Sequence, residues 1–270
     1  MTATQFIHER VELQPGLVVI LDGNSKITTS NGTFLAPTPN AFSLPAASVD
    51  VRAHCPGSTP TCRASCYVRG LAQHAPLVYA AYRSNAATLA TILENTDDST
   101  WLATATALGT WIRNKAAGGF RWHVSGDVRS GDHAAWIVRV CFESKNVRHW
   151  IYTRTLSAVP ALKLAPNLSV NVSADRDNYA DARDCAAQNS VRLAYMATDT
   201  ADVPLDLPLD AIIFPDYPLR GRELADKTSA PFWRGLTHTR RLQVCPADFF
   251  GQSEAHRCGP CTKCIEPTGV

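Results

Sequence analysis

The chain has 270 residues, enough for one larger α/β unit or two small domains. Apolar residues make up 45% and charged residues 19%, a balance that can bury a core large enough to offset the ordering entropy, so disorder is excluded. Lys plus Arg number 26 against 24 Asp plus Glu, and a net charge of +2 excludes nonspecific nucleic-acid binding driven by a whole-surface positive field. No stretch approaches the ~20 consecutive apolar residues of a membrane helix, and Glu9, Arg10 and Glu12 stand where a secretory signal would carry its apolar run. No membrane partner is expected, and the setting is expected to be cytoplasmic. Nine cysteines, seven of them in two local groups, suit a reducing compartment better than a disulfide framework.

Residues 1–50 predict an N-terminal β hairpin and connection. GLVVIL at 16–21 leads to a turn at Asp22-Gly23-Asn24, then KITT, then a second turn at Asn31-Gly32 before TFLA. Pro37, Pro39 and Pro45 mark 37–50 as irregular. Two helices follow between 71 and 118, AAYRSNAATLATILEN and, after a cap in 97–100, WLATATALGTWIRNKAA, the second stopped by Gly118-Gly119. Six strand-like segments come next: FRWHVSGD (120–127), HWIYTRT (149–155), LSVNVSAD (168–175), VRLAYMAT (191–198), AIIFPDYP (211–218) and LQVCPAD (242–248). AAWIVRVCFESKN and DNYADARDCAAQN, both amphipathic, lie between them and supply the alternation of βαβ connections. The expected fold class is therefore α/β. It is a single domain over 1–270, a full or partial parallel β/α (TIM-like) barrel with a small N-terminal β element, and 245–264 form a C-terminal cysteine-rich metal loop.

Cys258, Cys261 and Cys264 form a C-x2-C-x2-C run, and Cys245, followed by Pro246, supplies a fourth thiol within loop reach. The run matches the first three positions of a bacterial ferredoxin cluster, whereas structural zinc more often uses two separated C-x2-C knuckles. A [4Fe-4S] cluster is favoured, with zinc as the alternative that the same ligand type allows. Cys55, Cys62 and Cys66 form a second group in CPGSTPTCRASCYVRG, where Pro56, Gly57 and Pro60 impose a loop. Three thiols on a four-iron cluster would leave one iron open to substrate. They can equally join the C-terminal group around one shared site, and both arrangements remain open. Cys141 and Cys185, alone on predicted helices, read as small hydrophobes.

In a parallel α/β fold the ligand site lies outside the carboxyl ends of the strands, where Ser125, Gly126, Asp127, Thr153, Arg154, Ser173 and Asp175 should converge. Asp127 and Asp175 are candidates to bind a cation or transfer a proton, and Arg154 to hold a phosphate or carboxylate. Ser125, Gly126, Thr153 and Ser173 are candidate cofactor-binding residues. The competing reading makes each Asp the cap of the next helix. His123 reads as a hydrogen-bonded core residue and His256 as a neighbour of the cysteines rather than a ligand. The segment 219–241 carries Arg220, Arg222, Lys227, Arg234, Arg240 and Arg241 with Phe232-Trp233 between them. It can meet a phosphate backbone but reads more readily as a solvated face.

CPGS with CRASCY, then SGD at 125–127, YTR at 152–154, SAD at 173–175, and CP at 245–246 with CGPC at 258–261 and Cys264 occur in that order. Together, from about Cys55 to the C-terminus, they resemble the bacteriophage gene product 88 family. The resemblance implies a phage-encoded protein of the host cytosol, with cysteines suited to iron-sulfur binding and a kinship to the radical S-adenosylmethionine barrel enzymes. That class carries C-x3-C-x2-C, whereas Cys62 and Cys66 are followed by Tyr67, Val68 and Arg69 with no third cysteine, so S-adenosylmethionine is not the expected cofactor. The expected function is a phage-encoded iron-sulfur protein with redox or radical-type chemistry on an unknown small molecule or host factor. The alternative is a zinc-stabilised, non-enzymatic module that binds host protein or nucleic acid.

Overall fold

Val11 and Leu13 point inward between Arg10 and Glu12, the period-two pattern of a strand with one wet face, and they belong to β1 (His8–Gln14). The structure is a computed structural model that describes residues 8–23, 39–46, 54–66, 68, 70–94, 98–116, 118–216, 227–249, 261 and 263–266. β1 turns back through Gly16, at φ +82°, into the antiparallel β2 (Leu17–Gly23). β2 pairs antiparallel with β3 (Pro39–Phe42), which lies inside the stretch expected to be irregular. The expected segments KITT and TFLA, with the Asn31-Gly32 turn, lie outside the described residues.

From β3 onward each strand is parallel to the one before it: β4 (Phe120–Trp122), β5 (His149–Thr153), β6 (Leu168–Ala174), β7 (Arg192–Ala197) and β8 (Ile212–Pro215). The eight described strands stand in chain order across one sheet. α1 (Pro60–Ala64), α2 (Leu71–His74), α3 (Pro76–Glu94) and α4 (Asp98–Lys115) connect β3 to β4. α5 (Gly131–Glu143) leads to β5, a 3-10 turn with α6 (Val159–Leu162) leads to β6, and α7 (Tyr179–Gln188) leads to β7. Right-handed crossovers between successive neighbours all pass over the same face. That face is the core: Phe120, Trp122, Ile151, Val170, Val172, Leu193, Tyr195 and Ile213 pack with Leu89, Leu108, Ile112, Trp136 and Ile137 of the helices.

The expected first helix falls on α3, which starts earlier, at Pro76: proline lacks an N–H but suits the first helical position. Asn85, fully buried on α3, satisfies its amide on three backbone groups: Oδ1 accepts from Ile20 N at 2.7 Å, and Nδ2 donates to Ile20 O and Ser43 O at 2.8 and 3.0 Å. Ser130 caps α5 by accepting from His133 N. Among the described residues no helix is long and apolar enough to cross a membrane.

The opposite face carries Arg121, Trp150, Tyr152, Ser169, Asn171, Ser173, Arg192, Ala194, Met196, Ile212 and Phe214, which stand level with one another in the strand register. Six of them, Arg121, Tyr152, Ser173, Arg192, Met196 and Phe214, are only half-buried. Among the described residues this face has no layer of helices, and we refer to it as the open face.

The sheet does not close into a barrel. The outer edge of β8 meets one parallel bridge, Ile213 to Val244, with Cys245 N donating to Ile213 O at 2.9 Å, while β1 ends the other edge. Closure would need the first and last strands to pair, and no described pairing joins β1 to β8. The segment 242–248, expected as a strand, is mostly helical. α8 (Pro231–Gly235) is followed by α9 (His238–Gln243), capped by Thr237, and α10 (Pro246–Phe249) begins at Pro246, which leaves Val244 alone to bridge.

Candidate functional site

Parallel strands deliver their carboxyl ends to one rim, and there the chain builds a network on two buried carboxylates. Asp127 follows β4. Its Oδ1 accepts from Thr153 Oγ1 and from Val128 N, both at 2.7 Å, and its Oδ2 accepts from Arg154 N at 2.8 Å. Asp175, fully buried after β6, binds Arg154 Nη1 at 2.8 Å through Oδ2 and accepts from Thr59 Oγ1 at 2.5 Å, while its Oδ1 accepts from Asp177 N at 2.9 Å. Burial pushes the Asp127 carboxyl up from its ordinary value, against the pull of its three donors and of Arg154. Every one of these carboxylate oxygens is occupied by the chain's own donors, so the geometry makes Asp127, Arg154 and Asp175 residues that hold other parts in place.

What they hold is the first cysteine group. Residues 54–65 run across the rim from strand end to strand end: His54 O accepts from Asp127 N at 2.8 Å, Thr61 N donates to Asp177 Oδ2 at 2.8 Å, and Ser65 Oγ donates to Asp216 Oδ2 beyond β8 at 2.8 Å. Thr59 caps α1 by accepting from Cys62 N at 2.9 Å while its own hydroxyl donates to Asp175, so the carboxylate fixes the helix that carries Cys62. Cys55, Cys62 and Cys66 are all half-buried along this path. Burial pushes the Cys62 thiol up, countered by Arg154 and reinforced by Cys66, Asp175 and Asp127.

Gly57 touches the end of β5 so closely that an added Cβ would lie 2.1 Å from Arg154 O. Gly57→Ala is therefore expected to lift this loop, destabilising the fold by about 1–3 kcal/mol and speeding alkylation of Cys55 and Cys62 several-fold. Mass-resolved thiol labelling checks this, and unchanged labelling rates would contradict the docking described.

Gly126 also serves packing. It adopts φ +82°, and a Cβ there would meet Leu44 Cβ at 2.6 Å. Ser125 is buried, its carbonyl accepting from Leu44 N, and its Oγ has no hydrogen-bond partner among the described residues. Thr153 is part of the Asp127 network, whereas Ser173 stands on the open face. His123 is buried at φ +58° between Phe42 and His133, and burial, aided by Arg121, lowers its pKa to about 3. Neither of its ring nitrogens has a partner among the described residues, so it is a core residue without the hydrogen bonds expected for it.

The second cysteine group meets the open face. Cys245 and Cys264, both buried, share a small cluster with Ile212, bordered by Tyr152 and Phe214. Residues 263–266 are held on this face by side chains of the strands: Asn171 Nδ2 donates to Cys264 O at 3.1 Å, Ser169 Oγ to Glu266 O at 3.2 Å, and Arg192 Nη1 to Lys263 O. Cys261 is exposed, while Cys258 and His256 lie outside the described residues. Among the described residues no group of three or more His, Cys, Asp or Glu side chains is arranged to hold a metal ion. The donor chemistry fits a thiolate-bound group, and the described geometry brings two of the thiols, Cys245 and Cys264, into one cluster.

The basic segment is partly committed elsewhere. Arg240 donates to Leu207 O, Pro204 O, Leu205 O and Gln243 Oε1, and Arg241 donates to Trp233 O and Arg234 O. Trp233 stacks on Phe249 at 5.0 Å. Arg220 and Arg222 lie outside the described residues.

Sequence reasoning misses Thr59, Ser65, Asp177 and Asp216, whose roles depend on contacts more than 100 residues away. It also misses the open-face set Arg121, Tyr152, Asn171 and Arg192. The signal for that set is present: LSVNVSA places Ser169, Asn171 and Ser173 at alternate positions of a strand whose other residues are apolar.

The family model described as Gene product 88 matches residues 18–267. No curated protein and no solved structure matches the chain.

Proposed function

The chain belongs to the gene product 88 family, a bacteriophage protein family, and we propose that this fold holds an iron-sulfur cluster of the [4Fe-4S] type on cysteine thiolates. The observation that carries this reading is the meeting of Cys245 and Cys264, 19 residues apart in sequence, in one buried cluster on the open face. Cys245, Cys258, Cys261 and Cys264 are the residues that would hold the group, which when bound supplies one-electron transfer. Cys55, Cys62 and Cys66 form the second thiolate group of the proposal, and Asp127, Arg154 and Asp175 position it. Redox chemistry on a small molecule or host factor in a reducing cytosol follows from such a centre. The proposal does not require S-adenosylmethionine.

Anaerobically purified protein is expected to contain iron and inorganic sulfide in equal amounts and to give a paramagnetic resonance signal after reduction. Cys245→Ser and Cys264→Ser should each lose most of the iron, whereas Cys185→Ala, half-buried on α7, should retain it. A colourless protein with stoichiometric zinc would overturn the proposal in favour of a zinc-stabilised, non-enzymatic module. A disulfide between Cys245 and Cys264 would overturn both.

A further inference from the structure

Among the described residues, Arg121 is a cation on the open face without an anion. Its guanidinium lies 5.4 Å from the centre of the Tyr152 ring, and its Nε is buried with no acceptor among the described residues. No ion pair of the described residues includes it. Arg192, on the same face, instead donates to the tail carbonyls of Lys263 and Glu266. A guanidinium nitrogen withdrawn from water and left without an acceptor is costly, and a carboxylate or phosphate oxygen removes that cost with directional hydrogen bonds.

The surroundings extend the requirement beyond a bare anion. Asn171, level with Tyr152 on the next strand and fully buried, uses Nδ2 on Ile151 O and Cys264 O, but its Oδ1 has no donor among the described residues. Tyr152 and Phe214 stand three strands apart, about 14 Å across the strands at the usual spacing, and are also offset along them, since Tyr152 is level with Asn171 and Arg192 and Phe214 with Met196. Their rings nevertheless meet edge to face at 5.6 Å, across positions occupied by the shorter Asn171 and Ala194. With half-buried Met196 beside Phe214 they form an apolar wall next to the unpaired cation. An apolar wall with a few unsatisfied polar groups is the usual make-up of a small-molecule site.

We propose that this part of the open face binds an organic anion. Arg121 grips its carboxylate or phosphate, its flat apolar body lies against Tyr152 and Phe214, and a donor on that body meets Asn171 Oδ1. The site goes beyond the cysteine proposal: Tyr152 and Phe214 also border Cys245 and Cys264, but its anion grip is Arg121, which stands outside that cluster.

The test is calorimetric titration of the protein as purified, with metal content measured on the same samples. The titrants are AMP, benzoate, adenosine and inorganic phosphate. Saturable binding of AMP or benzoate is expected, at least tenfold weaker in Arg121→Gln, while that variant keeps the metal content of the wild type. Adenosine should bind at least tenfold more weakly than AMP, a comparison that needs no variant. Absence of binding by both organic anions, equal affinity in Arg121→Gln, or equal affinity for adenosine and AMP would overturn the proposal. Inorganic phosphate binding as tightly as AMP would overturn the role of the apolar wall. Protein without iron that keeps these affinities would count against the cysteine proposal alone.

Discussion

Asp175→Ala is expected to cost about 3–5 kcal/mol of stability and to release the first cysteine group from the rim. The carboxylate is fully buried and is shared by three donors: Arg154 Nη1, Thr59 Oγ1 and Asp177 N. Arg154 is itself only 10% exposed, so removing its partner leaves a buried guanidinium uncompensated, which costs more than the net worth of the pair. Thr59 loses the acceptor for its hydroxyl, and with it the orientation that lets it cap α1 through Cys62 N. Asp175→Asn keeps the shape but removes the charge, and should fall between alanine and wild type. Urea unfolding measures the stability, and alkylation of Cys62 in the native state measures the release. A stability loss under about 1 kcal/mol with unchanged Cys62 labelling would mean that the segment is held by the other rim contacts alone.

The same network shows where sequence reading reaches and where it stops. Five of the six strand-like segments after residue 119 contain β4 to β8, because buried parallel strands are short apolar runs ended by polar residues, a local pattern. The pattern fails at 242–248, where Thr237 starts a helix and Pro246 starts the next, so capping and proline geometry outweigh apolar content. β1 is legible in the alternation of Val11 and Leu13 with charged residues. PNAF is not, since four residues that begin with proline carry no period, and β3 forms because β2 and β4 flank it. Asp127, Arg154 and Asp175 stand at the carboxyl rim, where a parallel sheet must put them. That Thr59 and Ser65 would complete their network could not be read, because those partners come from a loop inserted before the helices. The open face escapes notice for another reason: a barrel turns this face inward and fills it with side chains, whereas an open sheet leaves Arg121 and Tyr152 half-buried.

Lowering the pH from 7 to 5 is expected to remove roughly 4 kcal/mol of stability through two buried imidazoles, His149 and His123, with His133 adding to the loss. The hydrogen bonds of His149 fix its neutral form. Trp122 Nε1, which can only donate, lies 3.2 Å from His149 Nδ1, so Nδ1 is the acceptor. The ring proton is therefore on Nε2 and is donated to Ser144 Oγ at 2.8 Å, and that hydroxyl donates in turn to Val140 O at 2.7 Å. A second proton would have to sit on Nδ1, facing the indole N–H inside the core. Burial lowers the pKa of His149 to about 3, and burial with Arg121 lowers that of His123 to about 3. His133 is lowered well below its ordinary value by burial, then by His123 and Arg129. In the unfolded chain each imidazole takes a proton near pH 6.5, while the folded chain does not until about pH 3. Between those limits the unfolded state binds more protons, so stability falls with falling pH by about 1.4 kcal/mol per unit for each imidazole. Asp127 acts in the opposite sense, because its raised folded pKa favours the folded state on protonation, but only between 3.8 and that raised value. His149→Gln should therefore be less stable than wild type at pH 8 yet lose stability more gently below pH 6.5, by about 1.4 kcal/mol per unit. Urea unfolding of both proteins from pH 8 to pH 5 decides it, and parallel slopes would show that His149 takes up its proton without unfolding the chain.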